Sequence, residues 1–148
     1  MELKLYLDNC CYNRPFDNQE QIQIRLETEA KLFIQQEIKN KNYQLGWSFM
    51  LDYENSQNPY NEKRKAIQVW KQIADEFCPP SDKLFEDALK FQELNIRHKD
   101  AVHLACAIQL GCDYFLTTDK KLLNKPIASI NVIDPINFLM KVRNPDEN

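Results

Sequence analysis

Short apolar segments alternate along the chain with segments of helical periodicity, and this alternation is the strongest constraint on the fold. Four segments are typical of strands, with a weaker fifth near Phe77–Cys78: Leu3–Leu7, Tyr43–Trp47, Tyr114–Thr117 and Ile130–Ile133. Elsewhere apolar residues recur every three to four positions, as in amphipathic helices. These patterns cover Ile22–Ile38, Ala66–Phe77, Leu84–Phe91, Ala101–Ile108 and Ile136–Val142. The order predicts an α/β fold of βαβ units, with a parallel sheet and helices on both of its faces.

The composition argues against some classes of function. The chain has 148 residues, of which 43% are apolar, and this suits one domain with a real core over residues 1–148. The net charge of the chain is −3, whereas proteins that bind nucleic acid over a broad surface are usually basic. Any contact with nucleic acid must therefore be local or use a metal ion. With two glycines in the chain, Gly46 and Gly111, a glycine-rich phosphate loop is excluded.

The sequence also predicts a cytoplasmic location. No apolar run approaches the roughly 20 residues that span a bilayer, and the stretch before Asp8 is too short and too polar for a secretory signal. The five cysteines form no CxxC pair and are odd in number, so we interpret them as reduced core thiols. A structural zinc site is disfavoured, because the chain has no CxxC pair and only two histidines, His98 and His103, that could serve as imidazole ligands.

Four acidic residues occupy related positions in this pattern. Asp8 ends the first strand, Asp119 ends the strand in "YFLTTD", Glu54 follows the second strand, and Asp100 opens the helix "KDAVHLACAIQL". Each has an ordinary explanation, as a turn residue or as an acid that the helix dipole favours. Ligands of open parallel sheets, however, bind outside the carboxyl ends of the strands. Together, the four positions predict one acidic site at that edge.

Two acids close together after the second strand have to be separated. In a helix that starts near Ser48, Glu54 shares the face of Met50 and Leu51, which should point inward. Asp52 lies about 200° away at 3.6 residues per turn. The helical phase therefore predicts Glu54 in the site and Asp52 outside it, as an exposed residue.

Three segments carry a family resemblance: "LYLDNCCYNRPF", "SFMLDYE" and "HKDAVHLACAIQLGCDYFLTTDKKLL". In order, spacing and total length they resemble the acidic motifs of the PIN-domain nucleases, over nearly the whole chain. The resemblance implies a three-layer α/β/α sandwich around a five-stranded parallel sheet. It also implies endonucleolytic cleavage of RNA with Mg²⁺ or Mn²⁺. Its acidic residues, as catalytic groups and metal ligands, would be Asp8, Glu54, Asp100 and Asp119.

The residues themselves also favour a metal. Two carboxylates about 4 Å apart repel by roughly 4 kcal/mol at an effective dielectric near 20, and a divalent cation with oxygen ligands removes this conflict. Such an ion can activate a water for attack on a phosphate. Asn9, Arg14 and Lys120 flank the acids and are predicted to bind substrate phosphates, as Arg97, Lys99 and Lys121 also could. His103 is interpreted as a core histidine.

Alternatives and partners remain open. A non-catalytic PIN scaffold that binds RNA or protein is the main alternative, and the presence of all four acids argues against it. Cys10 stands where a haloacid-dehalogenase-type phosphatase needs its second Asp, and this counts strongly against that class. VapC-like toxins of the PIN family often have Thr or Ser soon after the first Asp, which "DNCCYNRPF" lacks. A surplus of apolar helix surface, at Ile22–Ile24, Phe33 and Trp70, predicts a homodimer or an antitoxin-like protein partner.

Overall fold

A computed structural model describes residues 2–12 and 22–143 of the chain. Within these described residues, five strands and seven α-helices follow one another, with a short 3₁₀ helix at Asn9–Cys11 after the first strand. The strands are β1 (Lys4–Leu7), β2 (Gln44–Ser48), β3 (Glu76–Cys78), β4 (Tyr114–Leu116) and β5 (Asn131–Ile133). The helices are α1 (Ile22–Lys39), α2 (Phe49–Ser56), α3 (Asn61–Ile73), α4 (Asp82–Gln92), α5 (His98–Gln109), α6 (Lys120–Leu123) and α7 (Pro135–Arg143).

All five strands form one parallel sheet in the order β3-β2-β1-β4-β5. Consecutive residues of a strand point to opposite faces, and Leu5, Tyr6 and Leu7 of the central strand are all buried. Both faces of the sheet are therefore covered, with α1 against α7 and α4 against α5. The predicted five-stranded α/β sandwich is confirmed. That residues 1–148 form a single domain stays a prediction.

The strand order determines where a ligand can bind. The chain runs from β1 outward to β3, then returns to the other side of β1 to add β4 and β5. Connections on the two sides of β1 diverge at such a switch point and leave a crevice beyond the carboxyl ends of the strands. Asp8 follows β1 directly, and its backbone N–H still bonds to the carbonyl of Leu116 on β4 at 2.9 Å. The first acid thus lies beside this crevice.

Helix α5 lies close against the sheet. Residues 101–107 are all buried, and small side chains such as Ala101, Ala105 and Ala107 allow the close approach. At Gly46 of β2, an added Cβ would lie 2.8 Å from Cδ1 of Leu110, directly after this helix. This close packing brings Asp100, in the first turn of α5, to the same edge as Asp8.

One helix is shorter than its pattern predicts. The periodic pattern through Phe77 suggests a helix to that residue, but α3 ends at Ile73. Phe77 instead lies on β3, where the weaker strand pattern near Phe77–Cys78 predicts a strand. Ala74 is extended (φ −59°, ψ 145°), and the Asp75 carboxylate accepts a 2.8 Å hydrogen bond from the backbone N–H of Leu45. This hydrogen bond holds Asp75 beside β2, so that the following residues pair as the edge strand β3, where Phe77 is 44% exposed. The short α6 is also absent from the predicted elements.

The predicted surplus of apolar helix surface is present only in part. Trp70 is buried and its ring packs near Tyr12, so it belongs to the core and not to a surface. On α1, by contrast, Ile22 is 73% and Leu26 46% exposed. The five cysteines are free, and Cys10 alone is not fully buried. In the part of the chain described, no helix is long and apolar enough to cross a membrane.

Candidate functional site

A depression of about 280 Å³ lies beyond the carboxyl ends of β1 and β4. All four predicted acids line it, although they come from three separate regions of the sequence. The lining residues are Asp8, Asn9, Cys10, Glu54, Arg97, Asp100, Thr118 and Asp119. The roles of the acids stay predictions, while their convergence is a property of the structure.

Asp8 is held by neutral donors. One carboxylate oxygen accepts from the backbone N–H of Asn9 at 2.8 Å, and the other accepts from the hydroxyl of Thr117 at 2.8 Å. Thr117 is fully buried, and its oxygen in turn accepts the N–H of Asp119 at 3.1 Å. Asp8 is 9% exposed, and within residues 2–12 and 22–143 no salt bridge reaches it. Its carboxylate is therefore fixed in place but not neutralised.

Asp100 and Asp119 share one cation. A guanidinium nitrogen of Arg97 lies 3.0 Å from Asp100 Oδ2 and 2.9 Å from Asp119 Oδ2, and Arg97 Nε donates to Asp100 at 3.1 Å. Burial raises the pKa of Asp100, which is 8% exposed, and the Arg97 contact offsets only part of this effect. Asp119 also caps α6 by accepting from the N–H of Lys121 at 2.9 Å. Arg97, one of the flanking cations that the sequence offers for phosphate binding or as an ordinary solvated charge, here pairs Asp100 and Asp119.

Glu54 reaches the depression from α2 and meets a histidine. Its Oε1 is hydrogen-bonded to Nε2 of His103, and the Nδ1 of that ring lies 2.6 Å from the hydroxyl of Tyr6. Tyr6 in turn lies 2.6 Å from Oγ of Ser48, the residue that caps α2. Partial burial raises the pKa of Glu54, but the hydrogen bond and charge of His103, with Lys99 and Arg97, outweigh it and leave the pKa lowered.

Asp52 points away from the site, as the helical phase predicts. Its Oδ1 accepts from the indole N–H of Trp47 at 2.8 Å, and its Oδ2 pairs with Lys71 at 2.9 Å. The expectation that Asp52 is an ordinary exposed residue is wrong, because it ties α2 to β2 and α3. The tertiary contacts of Trp47 and Lys71 are not visible in the helical period.

Of the three residues predicted to bind substrate, one lines the depression, one lines a neighbouring depression and one lies outside the described residues. Asn9 lines the depression, and its Oδ1 is buried without a hydrogen-bond partner in the described part of the chain. Lys120 instead lines a neighbouring depression with Asn124, Asp134 and Asn137. Arg14 lies outside the described residues. All three roles stay predictions.

Comparisons with known proteins bear on the fold. No family model and no curated protein matches the chain. Among solved structures, a chain of FitAcB from Neisseria gonorrhoeae aligns with a TM-score of 0.56 and 13% identity, over 88% of this chain and 97% of that one. A chain of VapBC2 from Rickettsia felis, crystallised with a DNA fragment from the promoter, aligns with a TM-score of 0.54 and 14% identity over the same shares. The chain has a PIN-like fold.

Within this PIN-like fold, the donor atoms fit a divalent cation. One ligand atom each from Asp8, Glu54 and His103 lie within 4.8 Å of one another. Two are carboxylate oxygens and the third is an imidazole nitrogen, all of which bind divalent metals in proteins. The buried, unpartnered Oδ1 of Asn9 adds an acceptor at the same depression. These residues would hold the ion, with Asp100 and Asp119 beside it.

Sequence reasoning gave no site role to three residues that shape this candidate site, although its interpretation of His103 as a core histidine agrees with the 1% exposure of that side chain. Thr117 orients Asp8, His103 meets Glu54, and Tyr6 holds His103. A signal existed for His103, because a polar residue three positions after Asp100 shares its helix face. Thr117 directly follows β4 and precedes the Thr118–Asp119 pair. Tyr6 gave no signal, since a tyrosine in an apolar strand is an ordinary core residue.

Proposed function

We propose that the protein is a metal-dependent endoribonuclease that hydrolyses RNA phosphodiester bonds with Mg²⁺ or Mn²⁺. The observation that carries the proposal is the convergence of Asp8, Glu54, Asp100 and Asp119 in one depression at the carboxyl edge of a parallel sheet. The PIN-like fold and the motif resemblance support it. A cytoplasmic location stays a prediction from the sequence.

The surrounding residues suit a nucleic-acid substrate. When bound, the metal would activate a water and offset charge on the attacked phosphate. Asp8 and Glu54 would hold the ion, and Asn9 Oδ1, which has no hydrogen-bond partner among the described residues, supports the proposal as a further acceptor at the depression. The ammonium of Lys99 lies 5.8 Å from the ring centre of the exposed Tyr53, next in sequence to Glu54. An exposed aromatic ring with a cation suits an unpaired base and its phosphate.

Incubation of the purified protein with mixed RNAs tests the proposal. Cleavage should occur with Mn²⁺ or Mg²⁺ and stop in excess chelator. Persistence of cleavage in chelator would rule out the metal-dependent mechanism. RNA binding without cleavage in either metal would instead support the alternative, a non-catalytic PIN scaffold.

We also propose that the chain acts as the toxin of a toxin–antitoxin pair, with an antitoxin-like protein as its partner. The resemblance to VapC-like proteins and the fold shared with chains of VapBC2 and FitAcB support this. Induced expression in bacteria should then arrest growth, and Asp8→Asn should relieve the arrest at equal protein level. Normal growth with an active ribonuclease would contradict the toxin role alone.

A homodimer should form through α1. Ile22 and Leu26 are four residues apart and so share one exposed apolar stripe. Light scattering after gel filtration should give twice the 17.6 kDa chain mass, and Leu26→Glu should give the monomer mass, because a charge there would have to be buried. Leu89→Glu, at an exposed position on α4, is the matched control and should leave the dimer intact. A monomer at all concentrations would contradict the homodimer.

Arg97→Gln should increase the stabilisation that Mn²⁺ gives. In the wild type, the guanidinium already neutralises Asp100 and Asp119, so it competes with a cation for these carboxylates. Removing it leaves two acids that gain more from an added ion. The rise in melting temperature on adding Mn²⁺ should therefore be larger in the variant than in the wild type.

The control for Arg97→Gln removes the same charge elsewhere. Lys90 pairs with Asp87 on α4, outside the residues that line the depression. Lys90→Gln should leave the Mn²⁺-dependent rise unchanged. An unchanged or smaller rise in Arg97→Gln would show that the guanidinium does not compete with the ion.

A further inference from the structure

His103 is the buried imidazole that the sequence assigns to the core. We propose that its Nε2 atom is a direct ligand of the divalent ion, which makes this a mixed oxygen–nitrogen site and not an all-carboxylate one. The inference rests on the proposed metal-dependent function. It goes further by naming a ligand other than the four acids and the class of ion that the site selects.

The geometry brings three different ligand atoms together. Asp8 follows β1, Glu54 lies on α2 and His103 lies on α5, yet one ligand atom from each lies within 4.8 Å of the other two. The side chain of His103 is 1% exposed, and its Nε2 edge meets Glu54 at the border of the depression. The imidazole is not itself among the residues that line the depression, and it meets the site through its contact with Glu54, which does line it.

The other ring nitrogen is held as metal-binding histidines require. Nδ1 lies 2.6 Å from the hydroxyl of Tyr6, and that hydroxyl lies 2.6 Å from Oγ of Ser48. Tyr6 is fully buried and stacks on Phe115, with ring centres 5.3 Å apart and planes at 10°. A histidine ligand almost always donates its second N–H to a fixed acceptor, which sets the tautomer and the ring orientation. In the tautomer that carries its proton on Nδ1, the Tyr6 hydroxyl is that acceptor.

The tautomer links this contact to the ion. When Nδ1–H donates to Tyr6, Nε2 carries a lone pair that faces the carboxylate of Glu54. Two acceptors in contact need a cation between them. In the opposite tautomer, Nε2–H donates to Glu54 and the Tyr6 hydroxyl donates to Nδ1. Because a hydroxyl can do either, the same buried contacts serve the metal-free and the metal-bound forms.

The distribution of charge places the ion at this end of the depression. Arg97 pairs with both Asp100 and Asp119, so those two acids already share a cation. Among the residues that the structure describes, Asp8 receives only neutral donors, the N–H of Asn9 and the hydroxyl of Thr117. Its negative charge is the one that an added cation would neutralise most directly.

The donor set also selects among ions. Mg²⁺ prefers oxygen ligands and keeps several waters, whereas imidazole favours transition metals. A site built from Asp8, Glu54 and His103 should therefore bind Mn²⁺ more tightly than Mg²⁺. Replacing the imidazole with an oxygen ligand should reduce that preference.

Pulsed EPR of the Mn²⁺-bound full chain tests the ligand directly. A coordinated imidazole nitrogen should modulate the Mn²⁺ electron spin echo with a ¹⁴N coupling, and ¹⁵N-labelled histidine should replace it with a ¹⁵N coupling. The chain has two histidines, and His98→Gln leaves His103 as the single labelled one. His98 is exposed and bonds to Gln92, so this variant leaves the proposed ligands in place. Retention of the ¹⁵N coupling in His98→Gln assigns it to His103.

Two further variants give a graded result. His103→Gln should lose the histidine coupling and lower both Mn²⁺ affinity and the preference for Mn²⁺ over Mg²⁺. Tyr6→Phe keeps the ring but removes the hydrogen bond to Nδ1, and should weaken Mn²⁺ binding by about 10-fold to 100-fold. Mn²⁺ binding with chelator-sensitive cleavage but no histidine coupling would overturn the role of His103 and leave the proposed function intact. Absence of any Mn²⁺ or Mg²⁺ binding would overturn both.

Discussion

Glu54→Gln should lower the rate of RNA cleavage by about 100-fold or more, the range expected when a group that aids proton transfer or holds the metal is lost. Glutamine has nearly the same shape, and its Oε1 can still accept from Nε2–H of His103, so the fold should be retained. Stabilisation by Mn²⁺ should shrink. For an intact site, an ion at 100 times its dissociation constant contributes about 2.7 kcal/mol. Cleavage rates and melting temperatures with and without Mn²⁺ measure both effects.

Asp52→Asn is the matched control for Glu54→Gln. It makes the same change of one carboxylate to an amide, two residues away on the same helix. The amide oxygen can still accept from Trp47, and the lost charge pair with Lys71 is partly exposed, so stability should fall by at most about 1 kcal/mol. Cleavage and Mn²⁺ stabilisation should be unchanged. If Asp52→Asn abolishes them while Glu54→Gln preserves them, the assignment of the second acid is wrong.

Phe115→Ala should lower the free energy of unfolding by about 3 to 5 kcal/mol, the usual cost of emptying an aromatic site in a core. Phe115 is fully buried on β4, beside the central strand, and its ring stacks on Tyr6. The cavity would also loosen the tyrosine that orients His103. We therefore expect weaker Mn²⁺ stabilisation in those molecules that still fold. Denaturant unfolding, with and without Mn²⁺, measures both quantities.

Phe77→Ala provides the comparison for Phe115→Ala. Phe77 occupies the edge strand β3, is 44% exposed and has the ammonium of Lys71 5.1 Å from its ring centre. The same truncation should cost about 1 kcal/mol or less there, because little cavity is created. Equal decreases in the free energy of unfolding for Phe115→Ala and Phe77→Ala would contradict the expectation that burial of the side chain sets the cost of its truncation.

The parallel sheet and its helices were predictable because hydrophobic period is a local property. Alternation at Leu3–Leu7 and the three-to-four spacing along α5 follow from the geometry of single elements. The positions of Asp8 and Asp119 were predictable for a related reason: in parallel strands, the position after a strand end in sequence is also a position at one edge in space. The phase of α2 likewise follows from 3.6 residues per turn, and it separates Glu54 from Asp52 without knowledge of their neighbours.

Element boundaries depended on contacts between distant segments. The period through Phe77 favours a longer α3, but the hydrogen bond from Leu45 to Asp75 ends the helical path and brings Phe77 into the sheet. Trp70 has the spacing of a surface stripe and is nevertheless buried beside Tyr12. Which side of a helix meets the core is decided by what packs against it.

The sequence by itself determined the fold class, the edge of the sheet that carries the site and the four acids that meet there. Only the tertiary structure decided how those acids are partnered. Arg97 pairs with Asp100 and Asp119, Thr117 holds Asp8, and His103 joins Glu54 to Tyr6. The physical reason is the sequence separation over which each property is set. Hydrophobic periodicity and strand ends depend on residues only a few positions apart. The charge and hydrogen-bond partners of a carboxylate are instead set by side chains up to 109 positions away in sequence.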